Sequence, residues 1–160
     1  MEREGAQGIS FGVMDAVVTV LGVMIGLSVA NNKFVVLLGI LTAGVADSFA
    51  NAAGMHVCQE TELIHTQKEV FKSTVYCFFA TFITVLILSS PVLLLPLVYS
   101  VYVSVTIGLI LLVGLGYFVS SINNRFKPHK LALEYLIIGV SVSIICYAIG
   151  ILAEMTLNSM

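Results

Sequence analysis

Charged residues are sparse along this chain and leave long apolar runs between them. The first run covers 8–30 and ends at Asn31-Asn32-Lys33; the second covers 34–57 and gives way to a polar segment beginning at Gln59. No charge occurs from Ser73 to Asn124, a stretch of 52 residues. At about 1.5 Å of rise per residue, that is about 78 Å of helix, too long for one crossing and enough for two with a turn. Proline breaks the backbone ladder, so the turn is placed at Ser89-Ser90-Pro91 through Pro96. This gives spans 73–90 and 96–121, and a last run covers 131–155. A crossing needs about 20 mostly apolar residues. The pattern therefore predicts an all-α membrane protein, with five transmembrane helices filling residues 1–160 as one domain.

Composition agrees with the pattern. Hydrophobic residues make up 59% of the 160 and charged residues 10%, with a mean hydropathy of +1.06. A soluble domain is about 25% charged, and a disordered chain needs low hydrophobicity. Seven basic residues and a net charge of −2 provide no basic face for nucleic acid. Cys58, Cys77 and Cys146 are widely spaced and read as buried thiols rather than a disulfide framework. The head Met1-Glu2-Arg3-Glu4 is not basic, and the run after it is too long for a secretory signal.

The basic residues set an orientation. Arg3, Lys68, Lys72, Arg125, Lys127 and Lys130 fall on the N-terminal side of the spans, and only Lys33 falls on the other. This bias predicts a cytoplasmic N-terminus and a C-terminus on the opposite side. Short loops and the lack of a targeting segment point to the cell membrane of a prokaryote. An odd number of spans does not divide into two inverted halves.

Two acids lie inside the apolar runs, Asp15 in the first and Asp47 in the second. A central Asp costs about 2.5–3.5 kcal/mol to insert, whereas a Leu, Ile, Val or Phe returns only about 0.3–0.6. Each acid should therefore face a partner or a cavity rather than lipid. The two spans run antiparallel. Counted from the same face, Asp15 lies at a depth of about 12 Å and Asp47 at about 15 Å. Gly8, Gly12, Asp15, Thr19, Gly22 and Gly26 recur at three- and four-residue intervals on one face of the first span. Gly44, Asp47, Ser48, Asn51 and Met55 form a similar stripe on the second. Small-residue packing, with Ser, Thr and Asn bonding between helices, accounts for the glycines. The acids point further. Two carboxylates close together in low dielectric resist ionising together, and a shared proton or a bound cation relieves the repulsion. Asp oxygens and the Asn51 carbonyl suit Mg²⁺, Mn²⁺ or Fe²⁺, and the Met55 sulfur would favour Fe²⁺.

The segment from Gln59 to Lys72 is the most polar. Glu62, His65 and Glu69 fall at i, i+3 and i+7, one helix face that can collect a divalent ion at the mouth of a path. A solvated face on an extension of the second span is the plainer account. No GxxxxGK[ST] loop, HExxH or GxSxG motif is present, so neither ATP drive nor hydrolysis is indicated and the chain is not read as an enzyme.

At the two acids the sequence resembles the vacuolar iron transporter family. Phe11-Gly12-Val13-Met14-Asp15-Ala16-Val17-Val18-Thr19 is similar to that family's first-helix signature, Phe-Gly-x-x-Asp-Gly-x-x-Thr. Ala43-Gly44 through Gly54 resembles its stretch Ala-Gly-x-x-x-Ser-Met-Ala-x-Gly-Glu-Tyr. Five spans with a cytoplasmic N-terminus match, as does the late Ile149-Gly150. The resemblance implies a homodimeric exporter of cytosolic Fe²⁺ or Mn²⁺ driven by proton exchange, with no permanently bound cofactor. It places Asp15 on the metal path with Thr19 beside it. The chain departs from the family at Ala16, at Phe49 (the family's Met ligand) and at Ala53 (the family's Glu), and it lacks the cytosolic metal-capturing domain. Asp47, one residue before the motif Ser48, can stand in for the lost ligand. The expected partners are thus a divalent metal ion, protons and membrane lipid. The competing expectation is a non-transporting membrane interaction protein that keeps the same fold.

Overall fold

The computed structural model describes residues 3–122 and 126–159; Arg125, one of the orienting basic residues, lies outside the described residues. Five helices follow one another: α1 (Arg3–Ser28), α2 (Lys33–Thr61), α3 (Gln67–Leu94), α4 (Leu97–Ile122) and α5 (Pro128–Asn158). All five are long and apolar enough to cross a membrane, and no strand occurs among the described residues.

Four of the five helices are longer than the apolar runs that predicted them; α4 matches its run at 26 residues. At 26 residues, α1 is about 39 Å long, against a hydrocarbon core of about 30 Å. It begins at Arg3, before the apolar run, because its first turns still pack on α3: a Cβ on Gly5 would meet the Tyr76 ring at 3.2 Å. Their ends are fixed locally. Asn31 takes a left-handed φ of 48° in the α1–α2 turn, a conformation Asn tolerates better than most residues. Asn32 then caps α2, its Oδ1 accepting from the Phe34 and Val35 amides at 3.0 and 3.2 Å. Lys33 donates to the Leu93 carbonyl at 3.1 Å, near the C-terminus of α3, where a cation suits the helix dipole.

One boundary differs from expectation. The turn predicted across Ser89-Ser90-Pro91 is helix; α3 continues through Pro91 to Leu94. Pro91 has no N–H to offer the Ile87 carbonyl, but Ser90 Oγ donates to that carbonyl at 2.8 Å. A serine that meets the freed backbone group is what allows proline inside a membrane helix. The chain breaks only at Leu95-Pro96, after the Leu95 amide has closed on the Pro91 carbonyl at 2.9 Å.

α1 is the hub of the bundle and packs against each of the other four helices. Ala16, Val17, Val20, Leu21 and Met24 are buried within it, against Val36 and Ile40 of α2, Val85, Leu88 and Val92 of α3 and Leu112 of α4. α5 contributes little to this core and exposes Ile137, Ile144, Ile145, Ile149 and Leu152. Cys58, Cys77 and Cys146 are free thiols. Cys77 is buried as expected, whereas Cys58 is exposed because it lies on the outer face of α2, beside the inward-facing Gln59.

The glycine face of α1 divides between two partners. Gly8 and Gly12 lie against α3, so closely that a Cβ on Gly12 would stand 2.6 Å from the Cys77 carbonyl. Gly22 and Gly26 lie against α5, where a Cβ on Gly22 would stand 3.0 Å from Cys146 Sγ and one on Gly150 would crowd the Gly26 carbonyl. One stripe thus serves two crossings, at opposite ends of α1.

Candidate functional site

Asp15 sits where α1, α2 and α3 meet. The Gly12 contact brings the main chain of α1 against the turn of α3 that runs from Cys77 to Thr81. Gly44 does the same for α2, where a Cβ would overlap the Val85 side chain. These two close approaches bring polar groups from three helices within reach. Asn51 Nδ2 donates to Asp15 Oδ2 at 2.6 Å and makes a longer contact of 3.4 Å to Thr81 Oγ1. Thr81 Oγ1 in turn donates to its own Cys77 carbonyl at 2.9 Å, so its direction is set within α3.

Asp47 lies about one turn along α2 from Asn51, close enough to Asp15 for the two carboxyl groups to influence each other. Its Oδ2 is buried and has no hydrogen-bond partner. Leaving a buried acceptor unmet costs about 1–3 kcal/mol, more for a charged one. The two acids thus meet with a donor on one of them and none on the buried oxygen of the other.

The remaining residues of the two stripes hold different places. Ser48 is buried, but its Oγ donates to the Gly44 carbonyl of its own helix at 2.7 Å. Met55 is buried one turn beyond Asn51, and Thr19 is half-buried one turn beyond Asp15. Gly22 and Gly26 belong to the α5 crossing, away from the acids. Phe49, at the position of the resembled family's Met, is exposed and stacks edge-on to Phe78 at 5.0 Å.

Glu62, His65 and Glu69 do not form one helix face. α2 ends at Thr61, Leu63 turns the chain with a φ of 55°, and α3 starts at Gln67. The three residues therefore come from a cap, a loop and a first turn. His65 Nε2 pairs with Glu62 at 2.9 Å. Glu69 accepts the Thr66 amide at 2.7 Å and its hydroxyl at 2.8 Å, the reach-back of a capping box. All three nevertheless line one cavity of about 1200 Å³ at the end of the bundle where α1 begins, together with Glu4, Gln7 and Ser10. Among the described residues, no three His, Cys, Asp or Glu side chains converge on a point that could hold a metal ion. The acid pair would have to complete an ion's shell with neutral oxygens or water.

Three polar residues at these contacts were not singled out from the sequence. Thr81 closes the back of the Asn51 contact, and Gln59 and Gln7 bond to each other at 3.1 Å. Gln59 was findable, because it extends the stripe of Asn51 and Met55 by one more turn. Thr81 lies in an uncharged run with several hydroxyl residues, where spacing does not separate it from the rest.

No protein-family model matches the chain, and no curated protein matches it.

Proposed function

We propose that the chain transports a divalent metal cation, Fe²⁺ or Mn²⁺, out of the cytosol in exchange for protons, with Asp15 and Asp47 on the path. The observation that carries this reading is the buried Asp47 Oδ2, without a donor beside a second carboxyl group. A positive partner, either a proton or a cation, is what such a pair lacks. Because the two compete for the same oxygens, exchange of one for the other follows from the site itself. Asp carboxylates with Asn and water oxygens suit Mn²⁺ and Fe²⁺.

The end of the bundle that carries Glu62, His65 and Glu69 faces the cytosol in this reading, in line with the basic residues at 68, 72, 127 and 130. The cavity there gathers cations, and the acids receive them deeper in. The similarity to the vacuolar iron transporter family adds a homodimer, and the short loops point to placement in the cell membrane. The test is metal uptake into proteoliposomes with a panel of divalent ions, with the internal pH followed at the same time. Asp15→Asn and Asp47→Asn should each abolish metal-coupled proton movement. Full flux in both variants would remove the proposed mechanism.

A second reading, a membrane interaction protein with the same fold, is favoured by one observation: Asp15 already has the Asn51 amide at 2.6 Å and so has a structural role. Purified protein that binds no Fe²⁺, Mn²⁺ or Zn²⁺ in calorimetry would select it.

A further inference from the structure

Gln7 stands eight residues before Asp15 on α1, and Gln59 stands eight residues after Asn51 on α2. The helices run antiparallel, so equal offsets carry both amides about 12 Å from the Asp15–Asn51 contact toward the same end. There Gln59 Nε2 donates to Gln7 Oε1 at 3.1 Å. Gln59 is a long polar side chain only 1% exposed, and its own Oε1 is buried without a donor. Ser73 of α3 is 0% exposed, and its Oγ is also buried without a partner. Its main chain lies against Gly8, the residue after Gln7, so closely that a Cβ there would overlap the Ser73 carbonyl. Two unmet oxygens, from α2 and α3, thus lie beside the same turn of α1.

Six other buried hydroxyls do not behave this way. Ser48, Thr81, Ser89, Ser100, Ser104 and Ser120 are all buried, and each donates to a main-chain carbonyl. Buried polar groups are nearly always satisfied, so two exceptions flanking one turn call for a bound water or an ion between them. Gln7 also lines the cavity that holds Glu62, His65 and Glu69. The cavity runs along α1 from Glu4 past Gln7 to Ser10 and Met14, and the Gln7 turn borders it as a polar level with no charge of its own.

We propose that Gln7, Gln59 and Ser73 form a second, uncharged cation-binding rung on the path, where a divalent ion with part of its water shell is held by the Gln59 carbonyl oxygen and the Ser73 hydroxyl. This rests on the transport reading and adds a site to it. Neutral oxygens suit the task, because an intermediate site must bind well enough to admit the ion and weakly enough to release it. Oxygen donors of this kind match Mn²⁺ and Fe²⁺, which keep water ligands readily.

The test has two arms. In a background with Cys58 and Cys146 both changed to Ser, Gln59→Cys and Ser73→Cys proteins in liposomes are treated with a small water-soluble thiol reagent, with and without Mn²⁺. Both positions should react, and Mn²⁺ should slow the reaction severalfold, while the buried Cys77 stays inert. In the second arm, Ser73→Ala and Gln59→Leu should each lower Mn²⁺ flux severalfold. Ser73→Ala removes a hydroxyl that bonds to nothing, so its melting temperature should stay level or rise, which a structural role would not allow. Inert cysteines at both positions, labelling indifferent to Mn²⁺, or unchanged flux in both variants would overturn the rung. If the unmodified protein moves no Mn²⁺, the transport reading falls, and protection of the two cysteines by Mn²⁺ decides whether the rung binds an ion.

Discussion

Replacing Asp47 by Asn changes a single atom of the site yet should have opposite effects on stability and on transport. The buried Asp47 Oδ2 has no donor and works against the Asp15 carboxyl group. An Asn amide turned toward Asp15 supplies a donor at a position where the carboxylate has none. Relieving one unmet buried acceptor is worth about 1–3 kcal/mol. Asp47 is only half-buried, and polar contacts between membrane helices average about 0.6 kcal/mol with a maximum of about 1.7, so the gain should lie near 1 kcal/mol. For a chain of this length that raises the melting temperature by about 2–4 °C. Asn51→Leu should shift it the other way by a similar amount, because it removes the 2.6 Å bond to Asp15. The two substitutions touch the same carboxylate, so the double variant should depart from additivity. The assay is thermal unfolding in detergent, followed by a thiol-reactive dye that reads the buried Cys77, with the exposed Cys58 and the half-buried Cys146 changed to Ser. If Asp47→Asn melts as early as Asn51→Leu, Asp47 is a satisfied structural acid and the reasoning from its unmet oxygen is wrong.

Other substitutions test how the bundle positions this site. Ser90→Ala should strand the Ile87 carbonyl and destabilise by about 1 kcal/mol; adding Pro91→Ala should recover most of it, since an alanine there brings back the missing N–H, and melting curves of the three variants decide this. Gly12→Ala would place a Cβ 2.6 Å from the Cys77 carbonyl and should destabilise by about 1–3 kcal/mol, the usual effect of overpacking, with metal flux lost in the same liposome assay. Leu63→Asn should raise stability by about 1 kcal/mol in the dye assay, because Leu63 holds a φ of 55° with its side chain 89% exposed, so strain is relieved and no packing is lost.

Some of this architecture could be read directly from residue order, and some could not. The number of helices follows from transfer energetics: charges bound the apolar runs, and the one uncharged run too long for a single crossing became two helices separated at a proline. The helix ends went unread, because packing such as that of Gly5 on Tyr76 carries helix beyond the apolar stretch. The break at Pro91 was misplaced because a neighbouring hydroxyl can substitute for the absent N–H, which composition does not reveal. Asp15 and Asp47 stood out because an acid in an apolar run is costly wherever the helix goes. Which groups those acids meet is a matter of helix rotation and crossing. The Asn51 contact, the Thr81 backing and the unmet oxygens of Asp47, Gln59 and Ser73 exist because glycines at 8, 12 and 44 let three backbones come together. Helical periodicity groups residues on a face but does not say which neighbour that face will touch. Thus Glu62, His65 and Glu69, grouped by spacing as one helix face, lie on a cap, a loop and a new helix.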